Sequence, residues 1–222
     1  MLDIATGEGG YIPILQRYLK SYQSIMGVDT NPKVLQVARV SHKAPGIQFM
    51  QMNAENLAFD NGSIDLVNIS ASLHHLENVA RVLAEMKRVL KSGGTFILTE
   101  MHRDGSSTEQ FNAIRIHHWA AAVDSSLGLI HDRTFSRQEI LNFVDAMNLR
   151  ILAARDFSDH SSNPRDAKAV SGIQDYMDRY LLLLDEQADN QFLIEQEKEL
   201  RATLAEKGFQ REPVILVLAE KP

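Results

Sequence analysis

The sequence predicts an α/β domain built on a doubly wound parallel sheet. Short apolar runs alternate with amphipathic segments over the first hundred residues, which is the order of βα units. The chain has 222 residues, of which 44% are hydrophobic and 23% charged. A chain of this size and composition buries a sizeable core without disulfides or metals. We therefore expect one domain over residues 1–222.

Seven strands are predicted, at residues 2–5, 25–28, 47–52, 64–69, 95–99, 149–157 and 214–219. Between them, Pro13 lies in the first turn of one helix, and Asn31-Pro32 caps and opens another that runs through about residue 40. A third helix covers residues 79–90, and we expect Gly93-Gly94 to end it before the fifth strand. Ser136 and Glu139 form a capping-box pattern at the start of a further helix.

Two segments interrupt this alternation and are interpreted as insertions. Residues 102–135 follow the fifth strand, and residues 164–207 precede the last strand with two predicted helices. The apolar residues of those two helices recur at helical spacing, so the simplest expectation is that they pack against the body of the domain. A helical lid or a homodimer contact is the alternative.

Charge and composition exclude several classes of function. The formal net charge is -6, so phosphate backbones and anionic lipids gain no general attraction, and we expect no nucleic-acid or membrane partner. No apolar stretch approaches the roughly 20 residues of a membrane helix, and no secretory signal is visible. The chain contains 0 cysteines, which excludes disulfides and thiolate chemistry. We expect a cytoplasmic protein.

The residues that follow the first strand indicate a nucleoside site. Gly7, Gly9 and Gly10 lie between strand and helix, and Asp29 ends the second strand twenty residues after Gly9. Glycines let the backbone approach a ligand, and an acidic residue at the end of the second strand can accept both ribose hydroxyls. A dinucleotide motif would need a third glycine where Ile12 stands, which argues against a nicotinamide cofactor and an oxidoreductase.

Asp3 lies inside the first strand, where a carboxylate is costly to bury unless it is hydrogen-bonded or meets a cationic ligand. A ligand with an amino group and a sulfonium suits it. At this point the sequence resembles the class I S-adenosylmethionine-dependent methyltransferases, in particular the methyltransferase type 11 group. The resemblance covers residues 1–101, the cofactor-binding half. It rests on ordered segments at residues 3–9, 27–29, 53–59, 65–67, 73–76 and 88–94.

The resemblance implies a Rossmann-like sheet of seven strands whose last strand inserts antiparallel beside the sixth. It also implies S-adenosylmethionine at the carboxyl ends of strands one, two and four. Asp29 would bind the ribose and Asn53 with Ala54 would face adenine, although the family usually has aspartate at the position of Asn53. The other cofactor-binding residues that it implies are Asp3, Ala5, Gly7, Gly9, Thr30 and Ser70. Ala5 stands where glycine is commoner in the family.

Candidate catalytic and substrate-binding residues are indicated by their positions after the fourth strand and within the first insertion. His74 and His75 come after the fourth strand and are candidates for a catalytic base, with a structural role as the alternative. His117, His118 and Trp119, in the first insertion, are candidates for lining an acceptor site, with packing as the alternative. Adjacent helical residues point about 100° apart, so we expect no metal site there.

The chain begins at Met1 inside the first strand, whereas family members usually carry a helical segment before it. A truncated chain, a genuine start with another element covering the site, and a degenerate relative all remain open. The predicted function is methyl transfer from S-adenosylmethionine to a small-molecule acceptor, which leaves S-adenosylhomocysteine. The alternative is an S-adenosylmethionine-binding module without transferase activity.

Overall fold

The computed structural model describes residues 1–159, 161–184 and 190–222. These residues form two compact units. Unit 1 comprises Met1–Glu100, Ile140–Arg155 and Ile215–Pro222, and unit 2 comprises Met101–Glu139 and Asp156–Val214. Unit 2 contains both segments that the sequence identified as insertions, except for the part of the second one, residues 185–189, that lies outside the described residues.

The strands form one seven-stranded sheet in the order β3-β2-β1-β4-β5-β7-β6. Their bounds are β1 (Leu2–Ile4), β2 (Ile25–Asp29), β3 (Ile47–Gln51), β4 (Ile64–Ser70), β5 (Leu90–Met101), β6 (Arg150–Phe157) and β7 (Val214–Glu220). The pairs from β3 to β5 are parallel. β7 is antiparallel, since Gly93 N donates to Lys221 O at 2.7 Å and Lys221 N donates to Gly94 O at 3.0 Å. The mostly parallel sheet with an inserted last strand is confirmed.

Seven α-helices are described, together with a short 3-10 helix at Leu73–His75. They are α1 (Ile12–Tyr18), α2 (Pro32–Ser41), α3 (Val79–Val89), α4 (Thr108–Ser126), α5 (Arg137–Ala146), α6 (Ala167–Leu181) and α7 (Gln191–Lys207). The predicted capping box is confirmed, because Ser136 N donates to Glu139 Oε2 at 2.7 Å and Glu139 N donates to Ser136 Oγ at 3.2 Å. Among the described residues, no helix combines the length and apolar character needed to cross a bilayer.

The prediction that Gly93-Gly94 ends the third helix is wrong. That helix ends at Val89, and Leu90 already has the extended backbone of β5. The β4–β5 register shifts between its Ile64 and Leu66 pairings, so the segment containing both glycines is an irregularity inside β5. Gly93 has φ 74°, a left-handed conformation that glycine adopts without steric cost. The glycines therefore serve a bulge in the strand.

The core of unit 1 consists of the sheet and the apolar stripes of its helices. Strand residues at its centre are fully or almost fully buried: Leu2, Ile4, Ile25, Val28, Val67, Ile69, Phe96, Leu98, Ile215 and Val217. Helices α1, α2 and α3 add Ile12, Leu35, Val82 and Met86. Because β1 is buried along its whole length, any polar group on it needs a partner inside the protein.

Unit 2 has its own core, formed by α4, α6 and α7. The buried residues of this core are Ile116, Trp119, Ala120, Val123, Met177, Leu184, Leu193, Leu200 and Leu204. The buried apolar residues of the second insertion therefore pack with α4, the helix of the first insertion, whereas Leu183 and Phe192 are exposed. Packing against the body of the domain, and the alternative of a lid or a homodimer contact, stay predictions.

Candidate functional site

The loop after β1 turns tightly because three of its residues have positive φ. These angles are 51° at Ala5, 53° at Gly7 and 82° at Gly9. Gly9 N donates to Thr6 O at 2.8 Å, which closes the turn before α1 begins. A Cβ on Gly7 would meet no protein atom within 4 Å, so open space lies over this backbone. The backbone at Gly7 is therefore open to the approach of a ligand.

Asp29, the last residue of β2, is bound to this loop. Its Oδ2 accepts a hydrogen bond from Gly7 N at 3.0 Å, and its Oδ1 accepts one from Asn31 N at 2.9 Å. The side chain is only partly buried. A carboxylate oxygen has two lone-pair sites, so each oxygen retains acceptor capacity for a ligand hydroxyl. Asp29 fits the predicted ribose-binding role.

Asp3 lies one strand away in β1 and is 1% exposed. Thr6 Oγ1 donates to its Oδ2 and Asn68 Nδ2 donates to its Oδ1, both at 2.6 Å. Burial raises the pKa of Asp3 to about 6, and the two hydrogen bonds oppose that rise. At neutral pH the carboxyl is thus mainly an anion in a buried site, where a cationic ligand would be favourable.

A cavity of about 270 Å³ opens against these groups. It is lined by Asp3, Ile4, Ala5, Thr6, Gly10, Tyr11, Ser70 and Ala71. The lining thus comes from β1, the glycine loop and the end of β4, which is where the strand order of the sheet reverses. In open α/β sheets ligands bind at such a switch point. The predicted residues Asp3, Ala5 and Ser70 all face this cavity.

Tyr11 was not singled out from the sequence. Its hydroxyl lies 2.8 Å from Thr99 Oγ1 on β5, and this hydrogen bond ties the end of the glycine loop to a second strand. The sequence offers no signal for the pair, because the two residues are 88 positions apart.

The remaining cofactor residues of the prediction follow β2 and β3. Thr30 is exposed, and its carbonyl accepts a hydrogen bond from Gln51 Nε2 at 2.9 Å. Asn53 is exposed and its Oδ1 accepts from Glu55 N at 2.8 Å, while Ala54 is buried. The carboxyl ends of parallel strands meet at one edge of a sheet, so these residues share the edge that carries the cavity.

The two candidate catalytic histidines differ in environment. His74 is 1% exposed and its Nδ1 lies 3.2 Å from Glu100 Oε1, whereas His75 is exposed. Glu100 Oε2 also accepts from Ser72 N at 2.9 Å and Leu73 N at 2.7 Å. Sequence analysis missed Glu100, which fixes the turn after β4.

In unit 2, the predicted acceptor-site residues make internal contacts. His118 Nε2 lies 2.9 Å from Thr134 Oγ1, and His117 Nε2 lies 3.1 Å from His131 Nε2. Trp119 is 1% exposed in the core and its Nε1 donates to Leu193 O at 2.9 Å. An acceptor-lining role for these three residues stays a prediction.

His131 and its partners were not identified from the sequence. His131 Nδ1 lies 2.6 Å from Asp124 Oδ2, and that carboxylate also accepts from the Tyr180 hydroxyl at 3.1 Å. This polar chain runs along the core of unit 2.

Comparison with known proteins finds methyltransferases similar to this chain. Residues 2–98 match the family described as "Methyltransferase domain". Phthiotriol/phenolphthiotriol dimycocerosates methyltransferase of Mycobacterium leprae is 42% identical over 95 residues, which are 42% of this chain and 34% of that protein. Ubiquinone/menaquinone biosynthesis C-methyltransferase of Campylobacter jejuni is 32% identical over 102 residues, which are 44% of this chain and 43% of that protein. The matches thus span less than half of either relative.

The structure of a geranyl diphosphate methyltransferase in complex with S-adenosylmethionine aligns over 100% of this chain and 77% of that protein, with a TM-score of 0.57 and 14% identity. At that identity the likeness concerns the fold. The fold is the Rossmann-like fold of class I methyltransferases. Within it, residues 2–98 are similar to the methyltransferase domain of the type 11 group.

Proposed function

We propose that this protein is an S-adenosylmethionine-dependent methyltransferase that acts on a small-molecule acceptor. The observation that carries the proposal is the hydrogen bond from Gly7 N to Asp29 Oδ2, at 3.0 Å. It joins the loop after β1, which carries Gly7, to Asp29 at the end of β2, and we call this arrangement the cradle. A nucleoside with an amino-acid tail can contact both parts at once.

The cradle fits this cofactor in three respects. Asp29 keeps acceptor capacity for a ribose diol, and the space over Gly7 is open to a ligand. Asp3 adds a buried negative charge beside the cavity, which favours a cation. When bound, the cofactor supplies a methyl group on a positively charged sulfur. The residues of the chain bind and orient it, and positioning of the reactants accounts for much of the rate enhancement in such a reaction.

His74 and His75 are not equally suited to act as a catalytic base. His74 is buried against Glu100, so its contacts favour a role in holding the turn after β4. His75 is exposed, and of the two it is the better candidate for taking a proton from an acceptor.

The names of the relatives support a small-molecule acceptor. One is a phthiotriol/phenolphthiotriol dimycocerosates methyltransferase and the other a C-methyltransferase of ubiquinone/menaquinone biosynthesis. Lipid and quinone acceptors are therefore the first to test.

Calorimetric titration with S-adenosylmethionine and S-adenosylhomocysteine tests the cofactor site. We expect dissociation constants of roughly micromolar or tighter, weakened at least about tenfold in Asp29→Ala. Asp145→Ala, which removes an exposed carboxylate from α5, is the matched control and should bind as the unchanged protein does. Absence of binding by the unchanged protein would overturn the proposal.

Methyl transfer is then assayed by mass spectrometry with lipid and quinone acceptors. A mass increase of one methyl group on an acceptor, dependent on Asp29, supports the transferase. Cofactor binding without transfer to these acceptors or to a broader panel would instead favour the binding module.

A further inference from the structure

The loop between β3 and β4 carries Asn53 and Ala54, the residues proposed to face adenine. Over residues 53–61, which we call the adenine loop, there is no helix or strand. Its own side chains hold only its start, where Asn53 Oδ1 accepts from Glu55 N. Ordering such a segment costs conformational entropy at each residue. Contacts from outside the loop must offset that cost.

Arg88, in the last turn of α3, supplies more of these contacts than any other residue. Its Nη1 donates to Phe59 O and Asn61 Oδ1, and its Nη2 donates to Leu57 O, each at 2.8 Å. Its Nε and Nη2 also donate to the two carboxylate oxygens of Glu85, again at 2.8 Å. The guanidinium has five N–H donors, and the structure gives it five hydrogen bonds. Three of them end on the adenine loop.

Glu85 completes the arrangement from the same helix. It is 5% exposed, and its Oε2 accepts from Leu57 N at 2.9 Å. Leu57 is thus held at its N–H by Glu85 and at its carbonyl by Arg88. The hydrogen bond from Arg88 holds the pKa of Glu85 at about 2, well below its ordinary value, so the pair is fully charged at neutral pH.

Arg81 lies on α3 one turn before Glu85 and contacts the beginning of the adenine loop. Its Nε donates to Glu55 O at 3.0 Å. Three side chains of one helix therefore bond the backbone of the adenine loop at residues 55, 57 and 59. Main-chain contacts of this kind fix the path of the loop whatever its side chains are.

We infer that Glu85 and Arg88 are positioning residues that set the base selectivity of the cofactor site by fixing the adenine loop. The inference rests on the proposed function, since it needs Asn53 and Ala54 to face adenine. Recognition of a base edge requires donors and acceptors to be held within about 0.5 Å of the productive geometry. A loop released from α3 would contact the base without distinguishing its exocyclic group.

The test compares two ligands that differ at one position of the base. S-adenosylhomocysteine carries an amino group there, and S-inosylhomocysteine carries an oxygen. Calorimetry gives both dissociation constants for the unchanged protein, Arg88→Lys, Glu85→Gln and Glu85→Met. We expect the unchanged protein to prefer the adenosyl ligand and Arg88→Lys to lose most of that preference, with roughly tenfold weaker binding of S-adenosylhomocysteine.

The two Glu85 variants separate positioning from general destabilisation. The amide of Glu85→Gln can still accept from Leu57 N, so we expect it to retain more of the preference than Glu85→Met. Arg39→Lys is the control, because Arg39 is exposed and also donates to a backbone carbonyl, that of Phe49, at 3.0 Å. It should leave the preference unchanged.

The outcomes separate this inference from the proposed function. If the unchanged protein binds neither ligand, the proposed function fails. If it binds both equally, or if the folded Arg88 and Glu85 variants keep the same ratio of dissociation constants, only the positioning inference fails. A lowered melting temperature with an unchanged ratio also counts against the inference, because a purely structural role would produce it.

Discussion

Replacing Asp3 by asparagine should remove a pH-dependent loss of stability, so the stability difference between the two proteins should change with pH in a defined direction. Burial raises the pKa of Asp3 from its ordinary 3.8 to about 6. The folded pKa thus exceeds the unfolded one, so the contribution to stability is fully present below about 3.8 and is lost as pH rises through about 6. Asparagine has nearly the same shape, and its amide can accept from Asn68 and donate to Thr6.

The magnitude follows from the two pKa values. Each pKa unit is worth about 1.36 kcal/mol, so the charged carboxyl of Asp3 costs about 3 kcal/mol of unfolding free energy at pH 8. At pH 5 the same linkage gives about half of that cost. The stability of Asp3→Asn relative to the unchanged protein should therefore rise by about 1–2 kcal/mol between pH 5 and pH 8.

Urea denaturation followed by circular dichroism, at pH 5, 6.5 and 8, measures this difference. Taking the difference between the two proteins removes the titration of all other groups that they share. Asp145→Asn, at an exposed site on α5, should show a difference that is constant with pH. A constant difference for Asp3→Asn, or one that becomes smaller toward pH 8, would refute the reasoning.

Three further substitutions test the loop and the core of unit 2. Ala5→Gly relieves a φ of 51° and should raise the unfolding free energy by up to about 1 kcal/mol; a lower melting temperature would contradict it. Gly7→Ala should cost only about 1 kcal/mol in denaturation experiments but weaken S-adenosylhomocysteine binding more than about tenfold, and unchanged calorimetric affinity would count against the cradle. Trp119→Phe removes the hydrogen bond to Leu193 O, so urea denaturation should show a loss of about 2 kcal/mol, and a loss below about 0.5 kcal/mol would be inconsistent with the buried contact.

The cradle of Gly7 and Asp29 could be predicted because its geometry follows from neighbouring strands. β1 and β2 are parallel and paired in register, with Ile4 opposite Val28. The residues that follow each strand therefore meet at the same edge. Glycines after one strand and an acid at the end of the next are sufficient to indicate that contact.

The partner of Asp3 could not be predicted in the same way. Asn68 is a polar residue inside β4, a strand whose other central residues are apolar. The β1–β4 register places Asp3 directly opposite Asn68, and their side chains form a hydrogen bond of 2.6 Å. Single-sequence patterns predict strands but do not fix which residues face each other across them. The contact between His74, which follows β4, and Glu100, near the end of β5, could not be predicted for the same reason.

The local sequence pattern also led to a wrong prediction at Gly93-Gly94, where a helix end and an irregular strand were both compatible with the residues. A glycine pair after an amphipathic run is typical of a helix end, and Gly93-Gly94 satisfied that pattern. In the structure the helix ends four residues earlier than Gly93, and the pair lies in an irregular part of β5. The pairing of β5 with its neighbouring strands places these glycines in the sheet. Strand pairing is a tertiary interaction, and a local sequence pattern carries no information about it.

One chemical arrangement recurs at the loops that carry the proposed cofactor contacts. After β1, Asp29 accepts the N–H of Gly7; after β3, Glu85 accepts the N–H of Leu57; after β4, Glu100 accepts two N–H groups of the turn. A carboxylate that accepts backbone N–H groups makes strong, directional bonds, so each loop has its path set by an anion from another element. Sequence reasoning looks for groups that touch a ligand, and it found Asp29 because that residue is also proposed to bind the ribose. Glu85 and Glu100 contact loop backbone together with the side chains of Arg88 and His74, so their importance becomes visible only when the loops they hold are seen in place.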